Sequence, residues 1–247
     1  TTSIDPVGAV ARIARREGIW LHVDAAYGGS MAVSPRHRDV FDGVGEADSI
    51  VVNPHKWLFT NFDLSAYYVK DPAALVRAFE IHPEYLKTGA DAKVKNYRDW
   101  GVPLGRRFRA LKLWFTIRCE GVASFQEMIR RHVGFTQELA SRIANDDRFE
   151  IVAPHPLNLL CIARRSDDAD AATDALIDAA NATGEALFTR TVLDGRSVLR
   201  ISIGARSTPS SVSCSSTATP SRSSRAATPS ARRMVRAMPR LSGPNRK

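Results

Sequence analysis

Two short apolar stretches, each followed by a charged side chain, most constrain what this chain can fold into. Residues 19–23 run directly into Asp24, and residues 49–52 are followed four positions later by Lys56. A third apolar stretch covers residues 64–69, and segments with helical periodicity precede the first stretch and follow the third. Strands that alternate with helices in this way predict an α/β fold with a mainly parallel sheet.

Asp24 and Lys56 each follow the carboxyl end of a predicted strand, where ligands of such sheets bind. We therefore expect the two side chains in one pocket. Pyridoxal 5'-phosphate (PLP) needs such a pair, because a lysine holds it as a Schiff base and a carboxylate keeps its pyridinium nitrogen protonated. A lone aspartate here more often caps a turn, and a lone lysine more often lies on the surface; their combination favours a PLP site.

The residues around this pair have suitable chemistry. Ala25 and Ala26 are small enough for a flat ring to lie against the backbone, and residues 53–57 (NPHKW) form a polar cluster directly after a strand. His55 has two interpretations, either a solvated loop residue or a group that contacts the phosphate or transfers protons beside the lysine.

The chain resembles the PLP-dependent group II amino-acid decarboxylases, nearest in pattern to the aromatic-L-amino-acid decarboxylases. The resemblance covers about residues 1–206 and is strongest in 20–30 (WLHVDAAYGGS), 53–57 (NPHKW), 97–100 (YRDW) and 103–114 (PLGRRFRALKLW). It implies fold type I, the PLP-dependent transferase-like fold. It also implies a homodimer, an amino-acid substrate and PLP as the cofactor.

The resemblance assigns roles to individual residues of the cofactor site. Lys56 carries the Schiff base, Asp24 pairs with the pyridinium nitrogen and Ala26 packs on one face of the ring. Asn53 and His55 lie near the phosphate end, with His55 also counted among the catalytic residues.

Three further positions match residues of the family. Tyr85 matches a tyrosine of a flexible catalytic loop that protonates the substrate carbon after CO2 leaves, and a phenylalanine there is associated with aldehyde-forming relatives. Arg200 matches an arginine near the active site, on the substrate side. Thr2 matches a threonine that touches the ring hydroxyl of the cofactor.

The pattern of elements predicts three regions. Residues 1–120 form the C-terminal part of a PLP-binding large domain, with a mobile loop at 86–102, and residues 121–206 form a small C-terminal α/β domain. Residues 207–247 contain eleven Ser, seven Arg, one Lys and no acidic or aromatic residue, a composition that predicts a disordered basic tail. Such a tail could bind RNA or an anionic surface, but a tail without function is the simpler interpretation.

Composition excludes several other classes of protein. The net charge of +9 comes almost entirely from the tail, because residues 1–206 contain 27 basic and 26 acidic residues and so offer no footprint for nucleic acid. The sequence contains no stretch of 18 apolar residues, so no membrane span is predicted. The first residues lack the pattern of a signal peptide. The three cysteines are far apart and without metal-ligand spacing, so we expect reduced thiols, no metal and a cytoplasmic location.

The resemblance implies a carboxy-lyase that converts an L-amino acid, such as Trp, Tyr, Phe or DOPA, to the amine and CO2. The alternatives are a sister decarboxylase that acts on acidic or diamino acids and a catalytically inactive, truncated remnant. The presence of Lys56, Asp24 and Tyr85 favours the enzyme, whereas the greater length of family members favours the remnant.

The residue pattern changes abruptly after Arg206, where acidic residues and helical periodicity both end. The family continues there with an amphipathic helix, so we hypothesise that a frameshift near Arg206 replaced it. Translation of the other reading frames of the gene is expected to reveal a continuation with acidic and apolar residues at helical spacing. The absence of such a continuation from every frame contradicts the hypothesis.

Overall fold

The structure, a computed structural model, describes residues 1–80, 94–184 and 187–206. Tyr85, the first part of the predicted loop 86–102 and the tail 207–247 therefore lie outside the described residues. The chain divides into two compact units, Asp5–Gln126 and Thr1–Ile4 with Glu127–Lys247. This division lies six residues beyond the predicted boundary at 120, and the assignment of the units to a large and a small domain stays a prediction.

The first unit contains a three-stranded sheet preceded by a helix. Helix α1 ends where Gly18 adopts a left-handed conformation (φ 64°) that suits glycine. Ala11 and Ala14 of this helix are buried, whereas Val10 and Ile13 are exposed. The elements are α1 (Val7–Glu17), β1 (His22–Asp24), β2 (Ser49–Val52) and β3 (Ala66–Val69).

The direction of β3 makes this sheet mixed within the described residues. Strand β1 pairs with β2 in parallel, as expected, whereas β3 runs antiparallel to β2. The predicted α/β class is correct, but the mainly parallel pairing does not extend to β3. A short apolar stretch carries no information on strand direction, so the alternation of elements alone left this point open.

Helices follow the three-stranded sheet along the chain. Helix α2 (Pro72–Phe79) begins after Asp71, whose side chain caps it by accepting the amide of Ala73. The apolar spacing of the sequence predicts a helix from Leu104, but helix α3 (Arg109–Glu120) begins five residues later, because residues 103–108 are not helical. The apolar face that this spacing predicts is exposed, and none of the residues of α3 is buried; its members are Leu104, Phe108, Leu111 and Phe115. Helix α4 (Val122–Ala144) contains the division between the units.

The second unit is an antiparallel sheet in the order β4–β5–β7–β6 with a helix packed on it. Helix α5 begins at Ala169, where the Asp168 side chain caps it by accepting the amide of Ala171. The core consists of apolar side chains from α4, α5 and the strands, including Leu139, Leu160, Leu176 and Leu199. The elements are β4 (Phe149–Ile151), β5 (Leu159–Arg164), α5 (Ala169–Ala182), β6 (Thr189–Leu193) and β7 (Arg196–Ser202).

A buried histidine in α4 makes the stability of the second unit depend on pH. His132 is 2% exposed, and its Nε2 lies 3.2 Å from the carbonyl oxygen of Ala205. Burial lowers the pKa of His132 from 6.5 to about 4, because the charged form loses its hydration. The unfolded chain therefore binds the proton more readily, so stability is lost as the pH falls from 6.5 towards 4.

We expect the free energy of unfolding of the chain to fall by roughly 3 kcal/mol over this range, since one pKa unit corresponds to about 1.4 kcal/mol. Urea titrations at a series of pH values measure this change. His132→Gln, whose amide can still donate to Ala205, should flatten the dependence, whereas His22→Gln, at an exposed position, should not. An equal slope in His132→Gln contradicts the assignment.

Candidate functional site

Parallel pairing of β1 and β2 brings the turns that carry Asp24 and Lys56 to the same edge of the sheet. In the strand register Asp24 lies opposite Val51, so the two strands end side by side. Beyond the strands, the amide of Asn53 donates to the carbonyl oxygen of Ala26 at 3.0 Å. This bond joins the aspartate turn to the lysine turn directly through the backbone.

The carboxylate of Asp24 is oriented by its own turn. Its Oδ1 accepts the amide of Ala26 at 2.9 Å, and the side chain is exposed. Within the described residues Oδ2 makes no hydrogen bond or ion pair, so it can accept an N–H from a ligand. Oδ1 thus caps the turn, and Oδ2 is left for the cofactor contact that the sequence predicts.

Lys56 ends the turn that follows β2, and its side chain is exposed. Its amide donates to the carbonyl oxygen of Asn53 at 2.9 Å, which closes the turn, and its amine makes no ion pair within the described part of the chain. Beside it, Oδ1 of Asn53 is buried without a hydrogen-bond partner there. Since buried polar atoms are rarely left unpaired, this oxygen indicates a place where a ligand donor or a water belongs.

His55 faces the backbone with one nitrogen. Its Nδ1 lies 2.9 Å from the amide nitrogen of Leu64 and 2.5 Å from the carbonyl oxygen of the same residue. Nε2 is therefore the ring nitrogen left for a phosphate oxygen or for proton transfer. The exposed Phe62 contacts the same ring edge-on, with 4.9 Å between centroids.

A stacked aromatic pair supports the two turns, and sequence reasoning assigned it no role. The rings of Tyr27 and Trp57 are parallel within 4° at a centroid distance of 5.3 Å, and Trp57 is 1% exposed. Each residue lies in one of the two turns, so the stack joins them a second time. Their occurrence within the two motifs, at 20–30 and 53–57, was the only sequence signal for this contact.

Two of the sequence-predicted residues belong to the second unit, and a third is not among the described residues. Thr2 belongs by its contacts to the second unit, and its hydroxyl donates to the carbonyl oxygen of Thr1. Arg200 lies in β7, where it is opposite Cys161 in the register and half-buried. Tyr85 lies outside the described residues. The roles of all three remain predictions.

The first unit also contains an ion pair that the sequence analysis did not identify. Arg109 at the start of α3 donates to Asp63 through Nε at 3.1 Å and through Nη2 at 2.9 Å. The two residues are 46 positions apart, so no local pattern indicates the contact.

The described residues fit PLP at two positions. Asp24 offers a free carboxylate oxygen and Lys56 a free amine, on turns joined by a backbone hydrogen bond. Near them, the unpaired Oδ1 of Asn53 supplies an acceptor for the other polar groups of the cofactor. Nε2 of His55 supplies a donor or an acceptor.

No group of His, Cys, Asp and Glu within 1–80, 94–184 and 187–206 is arranged to hold a metal ion. Of the helices described, none has the length and apolar character to cross a membrane.

Comparison with known proteins gives a family match. The pyridoxal-dependent decarboxylase conserved domain matches residues 1–164. Tyrosine decarboxylase 2 of Narcissus pseudonarcissus is 38% identical, over 84% of this chain and 43% of its own length. Phenylacetaldehyde synthase of Arabidopsis thaliana is 41% identical, over 84% of this chain and 44% of its own length.

A solved structure shows the same fold. The crystal structure of Oryza sativa TDC with PLP and tryptamine superimposes with a TM-score of 0.78 at 43% identity, and the match covers 83% of this chain and 44% of that one. The expected fold type I is thereby confirmed. The chain spans less than half the length of the relatives it matches.

Gly29 permits the close approach of the aspartate turn to β2. A Cβ at this position would lie 2.7 Å from Cγ2 of Val52 and 3.2 Å from Cβ of Ala25, both on short side chains that cannot move far. We expect Gly29→Ala to lower the free energy of unfolding by about 1–3 kcal/mol through overpacking. Denaturant titration measures the change.

Gly45→Ala is the matched control, because a Cβ there meets no atom within 4 Å. Its effect should stay within about 0.5 kcal/mol. Equal stability of the two variants would show that the turn does not pack tightly on β2.

Proposed function

Because the chain belongs to the pyridoxal-dependent decarboxylase family, we propose that the protein containing it removes the α-carboxylate of an aromatic L-amino acid with the help of PLP. The products are the amine and CO2. The observation that carries this proposal is the hydrogen bond between Asn53 and Ala26, which places the free oxygen of Asp24 and the amine of Lys56 on adjoining turns. Relatives named for tyrosine decarboxylation support the aromatic substrate.

When bound, PLP supplies the electron sink for the pair of electrons left on the α-carbon as CO2 departs. Asp24 contributes a negative charge held in place before the reaction. The amide of Ala26 fixes Oδ1, so the carboxylate does not need to reorient, and Oδ2 is free to accept the pyridinium N–H. This negative charge would keep the pyridinium nitrogen protonated, and because the carboxylate is already oriented, no reorganisation is needed during the reaction.

Lys56 holds the cofactor through its amine, which has no competing ion pair in the part of the chain described. With PLP bound, the same amine would also be the group that frees the product from the cofactor. His55 is anchored through Nδ1 to the backbone of Leu64, and its Nε2 binds the phosphate or moves a proton near Lys56. We assign Ala26 to one face of the ring and Asn53 to the phosphate end, as the family resemblance implies.

The residue that delivers the final proton decides which product forms. By the family resemblance, Tyr85 protonates the α-carbon and so favours the amine. Aldehyde formation is the second candidate activity, and one observation favours it, the 41% identity to a phenylacetaldehyde synthase. Arg200 on the substrate side and Thr2 at the ring hydroxyl complete the proposed assignments.

The proposal extends to the assembly and location of the protein. A homodimer in the cytoplasm, with an amino acid as its small-molecule substrate and no nucleic-acid partner, is what the resemblance and the charge distribution favour. Sister activities on acidic or diamino acids and an inactive remnant remain the alternatives to be tested.

We expect the protein at its natural length to release labelled CO2 from carboxyl-labelled Trp, Tyr, Phe or DOPA and to form the amine in equal amount. Asp24→Asn should lower kcat by about a hundredfold or more, because the fixed charge is lost. Asp39→Asn is the control, since this carboxylate lies outside both turns. Aldehyde in place of the amine favours the second activity, and activity only on Glu or a diamino acid favours a sister decarboxylase.

A protein that binds PLP but releases no CO2 from any of these amino acids contradicts the proposal. Full activity of Asp24→Asn contradicts the role given to Asp24.

A further inference from the structure

The ion pair between Asp63 and Arg109 joins the segment after Lys56 to the start of α3. Both hydrogen bonds from the guanidinium end on Oδ2 of Asp63, and the two side chains are 38% and 36% exposed. The hydrogen bond from Arg109 lowers the pKa of Asp63, so this carboxylate stays ionised. The contact is therefore a permanent charge pair at neutral pH.

The helix itself does not explain an arginine at this position. A cation in the first turn faces the positive end of the helix dipole, which is unfavourable. Helix α3 also begins at Arg109 without a side-chain cap on Phe108. The carboxylate of Asp63 offsets the unfavourable interaction between Arg109 and the helix dipole. It neutralises the guanidinium and places a negative charge near the N-terminus of α3.

Asp63 lies in the short segment that runs from Lys56 to β3. Directly after Asp63, the backbone of Leu64 contacts Nδ1 of His55, the residue before Lys56. Asp63 itself is held by Arg109. The segment that begins with Lys56 is thus fixed both by the residue before the lysine and by a helix distant in the sequence.

We propose that Asp63 and Arg109 are a positioning pair for Lys56, which holds the lysine segment against the N-terminus of α3 and keeps the lysine amine within reach of PLP. The inference rests on the proposed function, because that function makes Lys56 the residue that holds the cofactor. Partly exposed ion pairs contribute little to stability. The loss of this pair should therefore disturb the geometry of the site more than the folding of the protein.

The test compares Asp63→Asn, Arg109→Gln and Arg109→Lys in the protein at its natural length. In the first two variants we expect PLP to dissociate faster and kcat to fall on the order of ten- to a hundredfold, with KM little changed, because small misplacements of a reacting group are costly. Arg109→Lys keeps the charge and should recover part of both losses. The absorbance of bound PLP and thermal unfolding are measured in parallel.

Asp146→Asn is the matched control, because Asp146 accepts a similar two-bond contact from Arg148 in the second unit. It should remove an ion pair without changing PLP release or kcat. If Asp63→Asn and Arg109→Gln hold PLP and turn over like the wild type, the inference is overturned while the proposed function stands. The inference also fails if Arg109→Lys recovers neither PLP retention nor kcat. It fails as well if the loss of PLP and of kcat across the variants is proportional to the fall in melting temperature. Failure of the wild type to attach PLP at Lys56 overturns the proposed function instead.

Discussion

The candidate site depends on the backbone hydrogen bond from the amide of Asn53 to the carbonyl oxygen of Ala26. It continues the parallel pairing of β1 and β2 past their ends, into the turns that carry Asp24 and Lys56. Since neighbouring strands lie about 4.8 Å apart, backbone pairing rather than side-chain contact sets the separation of the two turns. The stacked rings of Tyr27 and Trp57 add a second link between the turns.

The parts of the fold that follow from local chemistry could be predicted from the sequence. Helix α1 is indicated by Asp5-Pro6 at its start and Gly18 at its end, and β2 is a continuous apolar stretch bounded by polar residues. Asp24 and Lys56 could be placed at one edge because parallel strands end at the same side of a sheet. Each of these signals lies within a few residues of the feature it predicts.

The parts that depend on distant contacts could not be predicted in this way. The apolar stretch of β3 suits either strand direction, and only its pairing with β2 shows that it runs antiparallel. Leu104 and Phe108 continue the apolar spacing of α3, yet the helix begins at Arg109, where Asp63 binds it from 46 residues away. The unpaired Oδ1 of Asn53 is likewise a consequence of burial, which residue type alone does not reveal.

Covalent attachment of PLP at Lys56 tests the central claim most directly. The protein at its natural length is incubated with PLP, reduced with borohydride and digested, and the modified peptides are identified by mass spectrometry. The account predicts a visible absorbance band before reduction and a single modification on Lys56 after it. Modification spread over surface lysines, with Lys56 no more reactive than Lys70 or Lys112, would contradict the account.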